Sequence, residues 1–222
     1  MTLDGASLRS LLPEGASGRP ADLARELGTD VAHLRETCIE PEPAWRGSFL
    51  DVRRDRVALP DGSTAHREYI VHPGAVMIVP LLDDGRLVVE RQWRYPLQRA
   101  MIEFPAGKLE AGEPVLECAI RELVEETGYR AAEWGRAGLL HNAIAYSSEG
   151  IEVWFARGLI AGERRLDAGE FLDVFVASAD ELDAAASSGT LTDAKTLIGL
   201  LWLQNWRAGR WPLEWYAAPA RS

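Results

Sequence analysis

Cysteine is nearly missing from this sequence: Cys38 and Cys118 are the only two in 222 residues, far apart and in no CxxC pattern. That scarcity removes a disulfide framework and a thiolate zinc site from consideration, and a reducing cytoplasm is the expected compartment. Residues 1–30 lack the basic start and continuous apolar core of a secretory leader. No later run approaches the roughly 18 apolar residues that a membrane span needs. A soluble, unexported chain with no membrane partner is expected. Positive charge is also scarce. A net charge of -10 argues against a nucleic-acid partner, because such binding needs Lys and Arg in place of phosphate counterions. An acidic protein can still hold an anionic phosphate when divalent cations stand between its carboxylates and the ligand.

What is present is ordinary globular material, 47% apolar and 26% charged, in a chain long enough to bury a core. Residues 1–30, rich in Gly, Ser, Pro and Ala, read as a loosely ordered tail. Strand-like runs over 49–59 and 64–72 flank Pro60-Asp61-Gly62-Ser63, a turn signal that predicts a hairpin. A second hairpin is expected from 75–82 and 86–93 around Asp83-Asp84-Gly85. There, Val76-Met77-Ile78-Val79 reads as a strand buried on both faces. Helical signals cover 114–127, with Pro near the start and Gly128 just past the end, then 179–186 and 193–206. Strands are expected at 151–155 and 171–176. Hairpins mixed with irregularly placed helices imply an α+β chain (α/β in the broad sense), with a mixed sheet covered by helices.

The informative segment is Gly107-Lys-Leu-Glu-Ala-Gly-Glu113, followed after seven residues by Arg121-Glu122-Leu-Val-Glu125-Glu126-Thr-Gly128-Tyr129. At 100° per residue, Glu125 and Glu126 lie about -60° and +40° from Glu122, so three carboxylates share roughly a 100° arc. Leu116, Ala119, Ile120 and Leu123 fill the adjoining arc, which can pack on a sheet. Like charges at these spacings weaken a helix by a few tenths of a kcal/mol per pair, roughly. Hard oxygen-binding cations compensate, and all-carboxylate ligation suits Mg2+, with Mn2+ as a substitute. Taken alone, an acidic helix face is more often simply solvated. The fixed spacing from Gly107 and Arg121 reverses that preference.

The segment satisfies every fixed position of G-x5-E-x7-R-E-U-x-E-E-x-G-U, where U is bulky and apolar, and thereby resembles the box of the Nudix hydrolases. The resemblance implies a Nudix fold, a mixed β-sheet sandwiched between helices, preceded by a small N-terminal β-hairpin subdomain. It divides the chain into a tail over 1–30, a β subdomain over 31–73, the hydrolase domain over 74–212 and a C-terminal tail over 213–222. It carries metal ligation onto Glu122, Glu126 and, as a third ligand, Glu125, with the backbone carbonyl of Ala106 beside them. Glu122 and Arg121 belong to the catalytic set, and Glu113 orients ligands together with Arg121.

Upstream, Glu90-Arg-Gln-Trp-Arg94-Tyr-Pro and Met101-Ile-Glu103-Phe-Pro105-Ala-Gly107 are similar to the Q-x-R and E-x-P-A-G patterns of the ADP-ribose pyrophosphatase branch. By that likeness Arg94 and Glu103 bind substrate, Arg94 through a guanidinium fork on phosphate. Downstream, the likeness places a general base at Glu149, with Glu152 as the alternative. Where that branch commonly carries Pro, this chain has Ala145 and then Tyr146, a substrate-binding candidate associated with dinucleoside polyphosphate hydrolases. Trp45, Trp93 and Tyr146 are candidates for stacking on a base. The implied activity is Mg2+-dependent cleavage of ADP-ribose, a small-molecule nucleotide, to AMP and ribose 5-phosphate. The alternatives are a dinucleoside polyphosphate or NADH pyrophosphohydrolase, or a non-catalytic nucleotide-sensing module. A homodimer is expected, because N-terminal strands of this family often exchange between subunits.

Overall fold

The computed structural model describes residues 31–219; the tail expected over 1–30 lies outside them. The chain divides into two compact units, one drawn from residues up to Pro41 with Asp55–His66, the other from Glu42–Arg54 with residues from Arg67 onward. In the first unit a short 3-10 turn, Ala32–Leu34, precedes β1 (Thr37–Glu40), which pairs antiparallel with the second half of β3 (Asp51–Ala58). The predicted turn closes there. Leu59 N–H donates to Ser63 O, and the Asp61 carboxylate accepts from the Ser63 amide and hydroxyl before β4 (Thr64–Val71) begins.

In the second unit β2 (Pro43–Arg46) pairs with the first half of β3. The main body follows: β5 (Ala75–Pro80), β6 (Leu87–Arg94), β7 (Arg99–Glu103), β8 (Ala106–Lys108), α1 (Val115–Glu122), β9 (Tyr129–His141), β10 (Gly150–Ala161), β11 (Leu172–Ala177), α2 (Ala179–Ser187), α3 (Ala194–Arg207) and β12 (Trp215–Ala217). Five strands form one mixed sheet in the order β12-β9-β10-β5-β8, and β11-β6-β7 form a second, antiparallel sheet.

The strand expected to be buried on both faces is β5. Met77 and Val79 join Leu87, Val89, Phe104, Phe155, Leu200 and Leu203 on one side. Val76 and Ile78 join Cys118, Ala119, Leu123, Trp134 and Trp154 on the other. Helix α1 therefore covers one face of the sheet and α3 the other, as the mixed sheet between helices requires.

The hairpin expected from β5 and β6 does not form. Its turn is present, with Leu82 N–H donating to Arg86 O and Gly85 N–H to Leu82 O, but only Leu81 and Leu87 bridge. Both edges of β5 are taken by β10 and β8, so β6 leaves for the second sheet. Near the C-terminal end of the described residues, β12 lies on the edge of β9.

Three helix ends follow local chemistry. Ser178 and Glu181 make a reciprocal capping box for α2, and the Asp193 carboxylate accepts from Thr196 N–H at the start of α3. Helix α1 continues into one wider π-helical turn, Leu123–Thr127, and stops at Gly128 with φ +77°. A Cβ there would meet Gly162 O at 2.7 Å, so this stop needs glycine for space as well as for conformation.

Candidate active site

Strand β8 ends the five-stranded sheet, so one side of its backbone has no strand partner. It pairs with β5 through Val76↔Gly107, with hydrogen bonds continuing at Ile78–Pro105 and Gly74–Leu109. Antiparallel alternation then turns the N–H and C=O of Ala106 away from β5, toward the free edge. There Ala106 N–H donates to Glu126 Oε2 at 2.9 Å. Next to it, Gly107 is pressed against Glu122: a Cβ on Gly107 would lie 1.8 Å from Glu122 Oε1. The box glycine is thus a matter of space, and the loop backbone and two carboxylates form one cradle.

The π-helical turn changes the arrangement expected from 100° steps. Glu122 and Glu126 both reach the 106–107 loop, while Glu125 stays with Arg121. Among the described residues, no three acidic, imidazole or thiol groups stand gathered at ligating distances. The carboxylates are instead parted among hydrogen-bond donors. Arg121 is the hub: Nε and Nη2 hold Glu113 at 2.8 and 2.9 Å. Its Nη1 holds Glu122 at 2.9 Å and Glu125 at 3.0 Å, and Nη2 also reaches Lys108 O at 3.2 Å. Five N–H donors are all a guanidinium has. With each engaged, Arg121 ties Glu113, Glu122, Glu125 and the Lys108 carbonyl together.

Electrostatics separate these acids. The Arg121 hydrogen bonds hold Glu113 down to about 2. Burial pushes Glu122 up to about 7 in spite of Arg121. Burial, then the nearby Glu90 and Glu122 charges, push Glu126 well above the usual carboxylate range. These are hard oxygen donors held without enough positive charge, which fits a divalent cation.

Beside the cradle, β6 and β7 pair Glu90 with Glu103. Arg94 grips Glu103 through Nε and Nη2 at 2.6 and 2.7 Å, and Lys195 Nζ bonds it from the start of α3. Lys195 is held in turn by Asp193 at 2.9 Å, and Thr196 Oγ1 accepts from Phe104 N–H. Glu103 is 2% exposed; burial raises its pKa, but Arg94 and Lys195 outweigh that and hold it below the usual range. Glu103 is thus covered by Arg94 and Lys195, and Arg94 Nη1 makes no hydrogen bond to it.

Glu90 was named in the sequence pattern without a role. It is fully buried, and among the described residues neither carboxylate oxygen has a hydrogen-bond partner. Burial first, then Glu103, push its pKa up to about 8.

Strand register brings the base candidates to the same region. Lys108 and Ile151 are both partners of Ala75 on opposite sides of β5. At roughly 4.8 Å per strand, their backbones lie roughly 10 Å apart. Glu149 immediately precedes β10, and its carboxylate is 3.5 Å from His72 Nε2. Glu152 is bound at both oxygens by Arg136, at 2.8 and 2.9 Å, which leaves Glu149 the freer acid. Tyr146, Trp45 and Trp93 are each more than half exposed, so all three have open faces for stacking, whereas Trp134 and Trp154 fill the core.

Sequence reasoning missed His72, Glu90 and Lys195 as members of this region. Two signals were available. Glu90 interrupts the apolar run Leu87-Val88-Val89, and Lys195 puts a cation in the first turn of a helix, against its dipole.

The NUDIX domain family model matches residues 71–197, from the end of β4 into α3. An ADP-ribose pyrophosphatase of Bacillus subtilis is 35% identical over 173 residues, covering 77% of this chain and 94% of that protein. A methanol dehydrogenase activator of Bacillus methanolicus is 34% identical with the same coverage. Among solved structures, an ADP compounds hydrolase matches with a TM-score of 0.72 at 25% identity, over 80% of this chain and 97% of that one.

Proposed function

The chain belongs to the Nudix family and is a Nudix hydrolase, and we propose that it cleaves the pyrophosphate bond of ADP-ribose or a similar nucleoside diphosphate derivative, giving AMP and ribose 5-phosphate. The observation that carries this reading is the cradle in which Gly107 lies against Glu122 while Ala106 N–H holds Glu126. The names of relatives that act on ADP-ribose support the substrate class.

In this reading Glu122, Glu126 and the outward-turned Ala106 carbonyl would hold the metal, with Glu125 as a further ligand. Mg2+ held there, or Mn2+ in its place, would supply charge against the pyrophosphate and make a water easier to deprotonate. Glu149 takes the proton as the water oxygen bonds to phosphorus and the bridging P–O bond breaks, leaving two phosphate monoesters. The free Nη1 of Arg94, on a guanidinium oriented by Glu103, donates to phosphate oxygens as charge builds on them. Arg121 and Glu113 keep Glu122 in place.

The loop at Ala145 and Tyr146, with Tyr146 exposed, favours a second reading in which a dinucleoside polyphosphate or NADH is the better substrate. Chromatography of products from ADP-ribose, a dinucleoside polyphosphate and NADH, each with Mg2+, tests this. AMP and ribose 5-phosphate formed fastest from ADP-ribose is the expected result; faster turnover of either other substrate overturns the assignment. The reading includes a homodimer and a reducing cytoplasm, consistent with free thiols at Cys38 and Cys118. It also keeps the expected domain limits, 31–73 and 74–212, as functional divisions.

A further inference from the structure

Glu149 lies in the loop between β9 and β10, and that loop is fastened to the end of β4. Ile70 N–H donates to Tyr146 O at 2.9 Å, Ser148 N–H to Ile70 O at 3.0 Å, and His72 N–H to Ser148 Oγ at 2.9 Å. The His72 ring is nearly covered, its side chain 6% exposed. Phe49 meets it edge-on at 5.6 Å, and Lys108 Nζ sits 4.2 Å from the Phe49 ring centroid. A line of contacts therefore joins the box loop at Lys108 to the acid at Glu149, with His72 in the middle.

The tautomer of that histidine follows from one hydrogen bond. Gly74 N–H donates to His72 Nδ1 at 3.1 Å. A backbone N–H can only donate, so Nδ1 is the acceptor and the neutral ring carries its proton on Nε2. That nitrogen stands 3.5 Å from Glu149 Oε1. The separation is long for a hydrogen bond, as it often is before substrate binds.

We propose that His72 is a positioning residue for the general base: its Nε2–H, aimed by Gly74, holds one oxygen of Glu149 so that the other faces the attacking water. This rests on the reading of Glu149 as the base. It gives the loop acid what a solvated glutamate lacks, one preferred orientation, and orientation of a reacting group is worth large factors in rate.

Two substitutions separate positioning from structure. His72→Asn keeps an acceptor for Gly74 N–H but cannot reach Glu149. His72→Gln brings an amide N–H to the place of Nε2. Each is measured by steady-state kinetics with Mg2+ on whichever of ADP-ribose, a dinucleoside polyphosphate or NADH turns over fastest, alongside a thermal melt. His72→Asn should lower kcat about tenfold with KM within about twofold, while His72→Gln stays within about threefold of the wild-type kcat. In a Glu149→Gln background, adding His72→Asn should change kcat by less than about twofold. Equal kcat for the Asn and Gln variants, or an undiminished loss on top of an impaired Glu149→Gln, overturns the role of His72 and leaves the base in place. Wild-type turnover by Glu149→Gln itself overturns the base and the positioning role together.

Discussion

Replacing Glu90 by Gln should stabilise the metal-free protein by an amount that grows with pH. Glu90 is fully buried, has no hydrogen-bond partner among the described residues and faces Glu103 across the β6–β7 ladder. Its carboxyl is pushed up to about 8, by burial first. Below the ordinary carboxyl value of about 4.3 the group is protonated in both folded and unfolded chains, and it costs nothing that depends on pH. Between that value and about 8 the unfolded chain gives up the proton while the folded chain keeps it, so stability falls as pH rises. At about 1.4 kcal/mol per pH unit, the cost reaches on the order of 4 kcal/mol by about pH 8. For a domain of this size 1 kcal/mol corresponds to roughly 2–4 °C in Tm. The Gln amide is also buried without partners and costs about 1–3 kcal/mol, but that cost does not change with pH. The quantity to follow is therefore the difference in Tm between variant and wild type, measured by calorimetry in chelator from about pH 5 to about pH 8. It should widen in favour of Gln by roughly 8 °C or more. Parallel curves over that range would refute the placement of an unpartnered, protonated Glu90.

Three further expectations test other parts of the site. Gly107→Ala should lower kcat by roughly two orders of magnitude with a small change in Tm, because the added Cβ displaces Glu122 from the cradle; kinetics near wild type would contradict the contact. Lys195→Met removes one of two cations from buried Glu103 and should destabilise the protein by roughly 3 kcal/mol in urea unfolding. Glu113, held down to about 2 by Arg121, contributes stability that is present above the ordinary carboxyl value and is lost as pH falls toward about 2. Wild type should accordingly exceed Glu113→Gln in urea midpoint near about pH 6, and the gap should close as pH drops below about 4.

The box could be read from spacing alone, including the glycine stop at Gly128, because those positions follow local rules of helix ends and close approach. The geometry within it could not. Helical steps of 100° place Glu122, Glu125 and Glu126 on one arc, and no residue announces the wider turn over Leu123–Thr127, with Glu122 and Glu125 sharing Arg121 Nη1 while Glu126 takes Ala106 N–H. Such turns occur mostly as single bulges inside helices, frequently at functional sites.

The same division runs through the sheets. Turn chemistry at Asp83-Asp84-Gly85 predicts a reversal correctly, yet pairing is decided by β8 and β10, whose claim on the edges of β5 comes from distant sequence. Strand β9 escaped notice because Arg130-Ala-Ala-Glu-Trp-Gly-Arg136 has no clear two-residue alternation; it is held by β10 on one side and β12 on the other. The motif names Glu103, but not the grip of Arg94 and Lys195 on its buried carboxylate. The partners of buried charges are set by tertiary placement, which a linear pattern does not encode.

The most direct test of metal-dependent pyrophosphate hydrolysis at the Glu122–Glu126 cradle is single-turnover AMP release from ADP-ribose, with and without Mg2+, by wild type and Glu126→Gln. Rapid release by wild type only when Mg2+ is present, with a loss of several orders of magnitude in a folded Glu126→Gln, is the result predicted. Equal release by the variant, or by wild type in chelator, would contradict it.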